Sequence, residues 1–211
     1  MVALQLEGRG IADARVLQAM QTVPRHIFVP PHLRDGAYAD GPLPIGEGQT
    51  ISQPYMVAIT CQRAALRGHE RVLEVGAGSG YQAAVLCALA REVVAVEWVP
   101  ELAATARANL AAAGVTNVEV VHADGSLGYA PRAPYDAIVV AAAAPDVPPA
   151  LVEQLAPGGR LVLPLGTRFM QELTVIEKRT DGLVRVGGDP CVFVPLVGER
   201  GWDEGNAGGR R

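Results

Sequence analysis

The rhythm of apolar and polar positions changes near residue 70. Before that point Val16, Leu17, Met20 and Val23 recur at helical spacing, with Asp13 placed to cap the run and Pro24 to stop it. This predicts an amphipathic helix over 13–22. Residues 24–53 are rich in Pro and Gly and have little periodicity, which predicts a long loop with room for short helical turns. Pro54 suits the first turn of a helix running to Leu66, with Ser52 or Gln53 near its cap and Gly68 just past its end.

After residue 70, short apolar runs at 72–75, 93–97, 118–122, 136–140 and 160–165 alternate with helical patterns at 81–91, 100–113 and 148–155. The alternation predicts an α/β fold, a doubly wound and mostly parallel Rossmann-like sheet with helices on both faces. Two further runs, 173–178 and 191–197, read as strands, and the turn signal Thr180-Asp181-Gly182 predicts antiparallel pairing at the C-terminal end. One domain over 1–202 is expected, with an N-terminal helix, loop and second helix (1–69) attached to the α/β core (70–202). The polar, glycine-rich residues 203–211 read as a flexible tail.

Composition narrows the function. A chain of 211 residues that is 49% hydrophobic buries one sizeable core. Its 18 Lys and Arg are scattered among 22 Asp and Glu, so no basic face for nucleic acid is expected. Cys61, Cys87 and Cys191 lie far apart in apolar surroundings, which suits reduced thiols in a cytoplasmic protein. No apolar run approaches the roughly 20 residues of a membrane span. His26, His32, His69 and His122 lack metal-ligand spacing, so no metal is expected.

The strongest local signal is Glu74-Val75-Gly76-Ala77-Gly78-Ser79-Gly80, between a predicted strand and a predicted helix. Glycines there let the backbone approach a ligand at the carboxyl end of the first core strand, where open sheets bind ligands. A dinucleotide fingerprint would need its third glycine at position 81, which is Tyr81. Gly-x-Gly-x-Gly after an acidic residue instead resembles motif I of the Rossmann-like methyltransferases. That resemblance implies S-adenosylmethionine as cofactor, with Glu74, Gly76, Ala77, Gly78 and Gly80 around it. Glu97 ends the second core strand, where a carboxylate accepts from two ribose hydroxyls. Asp124-Gly125 follows the third, where an Asp can accept from an adenine amino group and a Gly leaves room for the ring. Trp98 either packs on the adenine or is a half-exposed surface aromatic.

A more specific resemblance covers nearly the whole chain. Residues 37–46 and Gln49-Thr50-Ile51-Ser52-Gln53-Pro54-Tyr55-Met56 closely resemble the protein-L-isoaspartate O-methyltransferases. So do 23–30, 133–138, 154–161 and 194–199. The Thr50-Ile51-Ser52 element is specific to that family, whereas the glycine loop is shared by a superfamily. The resemblance implies that Ser52 is catalytic, that Thr50, Ile51 and Ser52 meet the substrate, and that Gln49 through Ser52 also line the cofactor pocket. From the residues alone, Ser52 starts a helix whose free N–H groups and positive dipole end favour a carboxylate, and it could equally be a plain helix cap. The implied acceptor is the α-carboxylate of L-isoaspartyl residues in damaged proteins and peptides, whose methyl ester leads to repair through a succinimide. The sequence leaves two other functions open: a methyltransferase of a small molecule or RNA, and a cofactor-binding module without catalysis. One departure stands out: Val139 to Pro145 is small and apolar where the family commonly carries His and Gly.

Overall fold

The computed structural model describes residues 1–202, so the expected tail at 203–211 lies outside the described residues. The chain opens with short helical turns over Val2–Leu6 and Glu7–Arg9, then forms α1 (Ala14–Thr22), which Asp13 caps by accepting from the backbone N–H of Arg15 and Val16 at 2.9 and 3.3 Å. The long loop contains 3-10 turns at Arg25–Phe28 and Pro31–Gly36, and also a β-hairpin that periodicity did not reveal, β1 (Leu43–Gly46) with β2 (Gln49–Ile51). Glu47 and Gly48 turn it with φ of 51° and 68°, the left-handed pair that a tight two-residue hairpin demands. α2 (Pro54–Ala64) follows and ends on Ala65, which adopts the left-handed cap conformation expected of Gly68.

The core alternates β3 (Arg71–Val75), α3 (Tyr81–Cys87), β4 (Glu92–Glu97), α4 (Pro100–Ala112), β5 (Val118–His122), β6 (Tyr135–Val140), α5 (Pro149–Gln154) and β7 (Leu155–Gly166). It closes with the hairpin β8 (Gln171–Arg179) and β9 (Gly182–Cys191). The sheet order is β5-β4-β3-β6-β7-β8-β9; β3 to β7 pair in parallel, while β8 is antiparallel to both its neighbours. Strand order therefore reverses between β3 and β6, and the carboxyl ends of these strands open the crevice where such sheets take ligands.

β7 begins at Leu155, earlier than expected, and two further differences have clear reasons. α3 stops at Cys87 because the Asn117 side-chain amide donates to the carbonyls of Cys87, Ala90 and Arg91, which lets the chain turn early into β4. The final strand is β9, directly after the Thr180-Asp181 turn, and not 191–197. β9 is an exposed edge strand in which Leu183, Val184 and Val186 are cut short by Gly187-Gly188-Asp189, so its apolar run is too brief to be read as a ten-residue strand. The apolar stretch after it instead crosses the carboxyl end of the sheet, held where Ala143 N–H donates to Val194 O and Leu196 N–H to Ala143 O, both at 2.8 Å.

Alternate residues of the strands enter two cores. Val72, Val93, Ala95 and Val139 face the side covered by α1 to α4, which also buries Leu6, Phe28 and Ile51, so the N-terminal segment shares a core with the sheet. Leu73, Val94, Ile138 and Leu161 face the side covered by α5. Among the described residues no helix is long and apolar enough to cross a membrane.

Candidate functional site

A cleft enclosing about 850 Å³ of empty space, open mouth included, lies at the strand-order reversal. Four segments remote in sequence form it: Gln49 to Ser52 from the hairpin, Gly76 to Ser79 after β3, Glu97 to Val99 after β4, and Val194 to Val197. Gly125, Ala141 and Ala142 complete its floor and back. Of the residues singled out in the sequence, Gln49, Thr50, Ile51, Ser52, Gly76, Ala77, Gly78, Glu97, Trp98 and Gly125 meet here.

The glycine loop is held by the backbone of β4: Gly76 and Ala77 N–H donate to Val96 O at 2.8 and 3.1 Å. Gly76 and Gly78 adopt φ of 91° and 55°, a region that costs other residues energy. Gly78 N–H donates to Glu97 Oε2 at 2.7 Å and Val99 N–H to Oε1 at 3.0 Å. These two bonds orient the carboxylate, and each oxygen keeps a lone pair for a further donor. Trp98 is 41% exposed beside it, and His122 Nε2 donates to its carbonyl oxygen at 3.0 Å.

Glu74, Gly80 and Asp124 do not line the cleft. Gly80 turns into α3, and a Cβ there would stand 3.1 Å from Leu110 and 3.2 Å from the Ala106 carbonyl, so this glycine serves helix packing. Asp124 Oδ1 accepts from Ser126 N–H and Oγ, and its Oδ2 accepts from Glu199 N–H at 2.8 Å. It anchors the segment that follows the Val194–Val197 wall; the reading that offers it to an adenine amino group meets a carboxylate already engaged within the chain. Glu74 is fully buried below the glycine loop, and burial pushes its pKa up to about 8. Gln82 lies beside it and opposes the rise, yet closes no hydrogen bond of normal geometry. Both Glu74 oxygens and Gln82 Nε2 lack partners among the described residues.

Gln53, not Ser52, occupies the cap position of α2, and its side chain makes no capping bond. Asp40 caps instead: its Oδ1 accepts from Tyr55 N–H at 3.0 Å, while its other oxygen pairs with Arg9. The Arg9 guanidinium also stacks 3.5 Å above the Tyr55 ring. The helix end that sequence reasoning offered to a substrate carboxylate thus already holds one from the loop. This leaves the Ser52 side chain at the cleft free of a capping duty.

Sequence reasoning missed Val57, Tyr81, Gln82 and the Val194–Val197 wall, all of which line the cleft.

The chain matches, over residues 1–201, the family model described as Protein-L-isoaspartate(D-aspartate) O-methyltransferase. It is 55% identical over 202 residues to the protein-L-isoaspartate O-methyltransferase of Methanoculleus marisnigri, covering 96% of this chain and 92% of that protein. It is 56% identical over 204 residues to protein-L-isoaspartate O-methyltransferase 2 of Marinobacter nauticus, covering 96% and 93%. A solved protein-L-isoaspartate O-methyltransferase superposes with a TM-score of 0.82 at 30% identity; the match covers 92% of this chain and 64% of that one. A Plasmodium falciparum protein provisionally described in the same way, solved with S-adenosyl-L-homocysteine, gives 0.74 at 26% identity and covers 90% and 93%. With the glycine loop, Glu97 and the Thr50-Ile51-Ser52 element gathered in one cleft, this chain belongs to the protein-L-isoaspartate(D-aspartate) O-methyltransferase family.

Proposed function

We propose that this protein transfers the methyl group of S-adenosylmethionine to the α-carboxylate of L-isoaspartyl residues in damaged proteins and peptides, with Ser52 as the residue that orients the acceptor. The observation that carries the reading is the meeting of Gln49–Ser52 with the glycine loop and Glu97 in one cleft. The cleft fits the cofactor on its own chemistry: two glycines at positive φ beside a place for the methionine end, and a fixed carboxylate with spare acceptor capacity for a vicinal diol. When bound, S-adenosylmethionine supplies an electrophilic methyl group on a positively charged sulfur.

The acceptor needs no general base, because a carboxylate with a pKa near ~4 is ionised at neutral pH. Its oxygen forms the new bond to the methyl carbon while the carbon–sulfur bond breaks and its electron pair stays on sulfur. Opposite charges cancel along this path, so a site that excludes water favours the transition state. Ile51, Val57, Val194 and Leu196 supply apolar walls, and the Ser52 hydroxyl donates to one carboxylate oxygen to hold the other in line. Gln49 and Thr50 bound the same face. The methyl ester then closes to a succinimide as the following backbone nitrogen attacks it and methanol leaves; water opens the ring at either carbonyl, which gives normal aspartate in a fraction of the molecules and isoaspartate in the rest.

The test is methyl transfer from labelled S-adenosylmethionine to two peptides that differ only in isoaspartate or aspartate at one position. Selective, base-labile labelling of the isoaspartyl peptide is expected. Labelling of both alike, or of neither, overturns the assignment of the acceptor.

A further inference from the structure

A second cavity, with about 1730 Å³ of empty space and open to solvent, adjoins the cleft. Three segments pass from one to the other: Ser52 lines the cleft and Tyr55 the second cavity, Ala142 the cleft and Pro145 the cavity, Val194 the cleft and Val192 the cavity. At the rim of the second cavity Phe169, Met170 and Val192 are 87%, 76% and 76% exposed. Large apolar side chains gathered in this way on a surface mark a place where something apolar binds.

The turn between β7 and β8 that carries Phe169 and Met170 is built. Thr167 N–H donates to Met170 O at 2.9 Å, and Thr167 Oγ1 accepts from Phe169 and Met170 N–H at 3.3 and 3.1 Å. Apolar groups presented on an ordered turn lose less conformational freedom on binding than groups on a loose loop. The rim's basic groups are engaged within the chain: Arg9 pairs with Asp40 and covers Tyr55, and Arg185 donates to Glu172 at 2.8 Å. With these cations engaged and Asp146 also on the lining, the groove disfavours an anion, and its exposed apolar side chains favour an apolar occupant.

We propose that this groove holds the polypeptide flank of the substrate, seating a large apolar side chain on one side of the isoaspartyl residue against Phe169, Met170 and Val192. The inference rests on the isoaspartyl reading above and adds a specificity determinant to it. Continuity with the cleft carries it, since a chain whose damaged residue reaches Ser52 runs on past Gln53 and Tyr55 into the groove.

The experiment measures KM and kcat for isoaspartyl peptides carrying Leu at successive positions on either side of the damaged residue, against the same peptides with Ser there. Wild-type protein and the double variant Phe169→Ser, Met170→Ser are compared; both sites are exposed, so the fold is kept. In the wild type, Leu at one or two positions on one side should lower KM about tenfold, the scale of one partly buried apolar side chain. The variant should lose that advantage while kcat and the KM of the Ser peptides stay unchanged. Equal KM for Leu and Ser peptides at every position, with all peptides methylated, would sink the groove alone. So would a variant that raises every KM alike. No methylation of any isoaspartyl peptide by the wild type would remove the functional reading, and this inference with it.

Discussion

Replacing Glu74 by Gln tests the energetics of the cleft's foundation. Its carboxyl group is fully buried on β3 with both oxygens unpaired among the described residues, and burial raises its pKa to about 8. In the unfolded chain a Glu titrates near ~4.3. Below that pH both states hold the proton and the group has no linkage effect. As pH rises from about 4.3, the unfolded chain gives up a proton that the folded chain still holds, so stability falls until the folded group also ionises. The gap from ~4.3 is roughly 3.7 units at about 1.36 kcal/mol each, or about 5 kcal/mol lost by the upper end of the window. Gln keeps the shape and cannot titrate. Its amide has its own pH-independent cost, so the readout is the slope. Denaturant unfolding of wild type and Glu74→Gln at intervals from about pH 5 to about pH 8 should show the variant gaining on the wild type by about 1 kcal/mol per pH unit. A difference that stays constant across that range would refute the buried, unpaired carboxyl.

Ser52→Ala should lower kcat on an isoaspartyl peptide by about a hundredfold, the scale of one preorganised donor, and weaken S-adenosylhomocysteine binding far less in calorimetry. Glu97→Ala removes the acceptor for a ribose diol and frees Gly78 and Val99 N–H, so S-adenosylhomocysteine should bind at least about tenfold more weakly by 1.4 kcal/mol or more; an unaltered constant would refute the ribose assignment. Gly125→Ala would bring a Cβ to 2.5 Å from Val75 Cγ1, and the overpacking should cost about 1–3 kcal/mol in denaturant unfolding. Asp40→Ala removes the cap of α2 and the partner of Arg9, for a loss of about 1–2 kcal/mol seen in the same assay.

The α/β core was legible because its central strands, buried on both faces, are unbroken apolar runs, while helices such as α4 bury one face at helical spacing. Val93 to Glu97 reads as a strand and Pro100 to Ala112 as a helix from local pattern alone, and Gly76, Gly78 and Glu97 stand where strand ends place ligand-binding groups. Short-range rules therefore determined the order of elements along the chain and most of one side of the site, whereas the strand order in the sheet, with its reversal between β3 and β6, was set by tertiary pairing. Tertiary structure decided the rest. The turn Glu47-Gly48 makes a hairpin because its strands find each other, and β9 is a strand because β8 offers an edge; the alternation in each, Leu43 with Ile45 and Val184 with Val186, is too short to decide by itself. The Val194–Val197 segment, apolar enough to pass for a strand, became a wall because Ala143 took its backbone bonds. Asp124 and Asp40 gained their roles from partners 75 and 15 residues away, Glu199 and Tyr55. Side-chain chemistry is local and visible in a sequence, whereas the partner that uses up a carboxylate is chosen by packing across the whole chain.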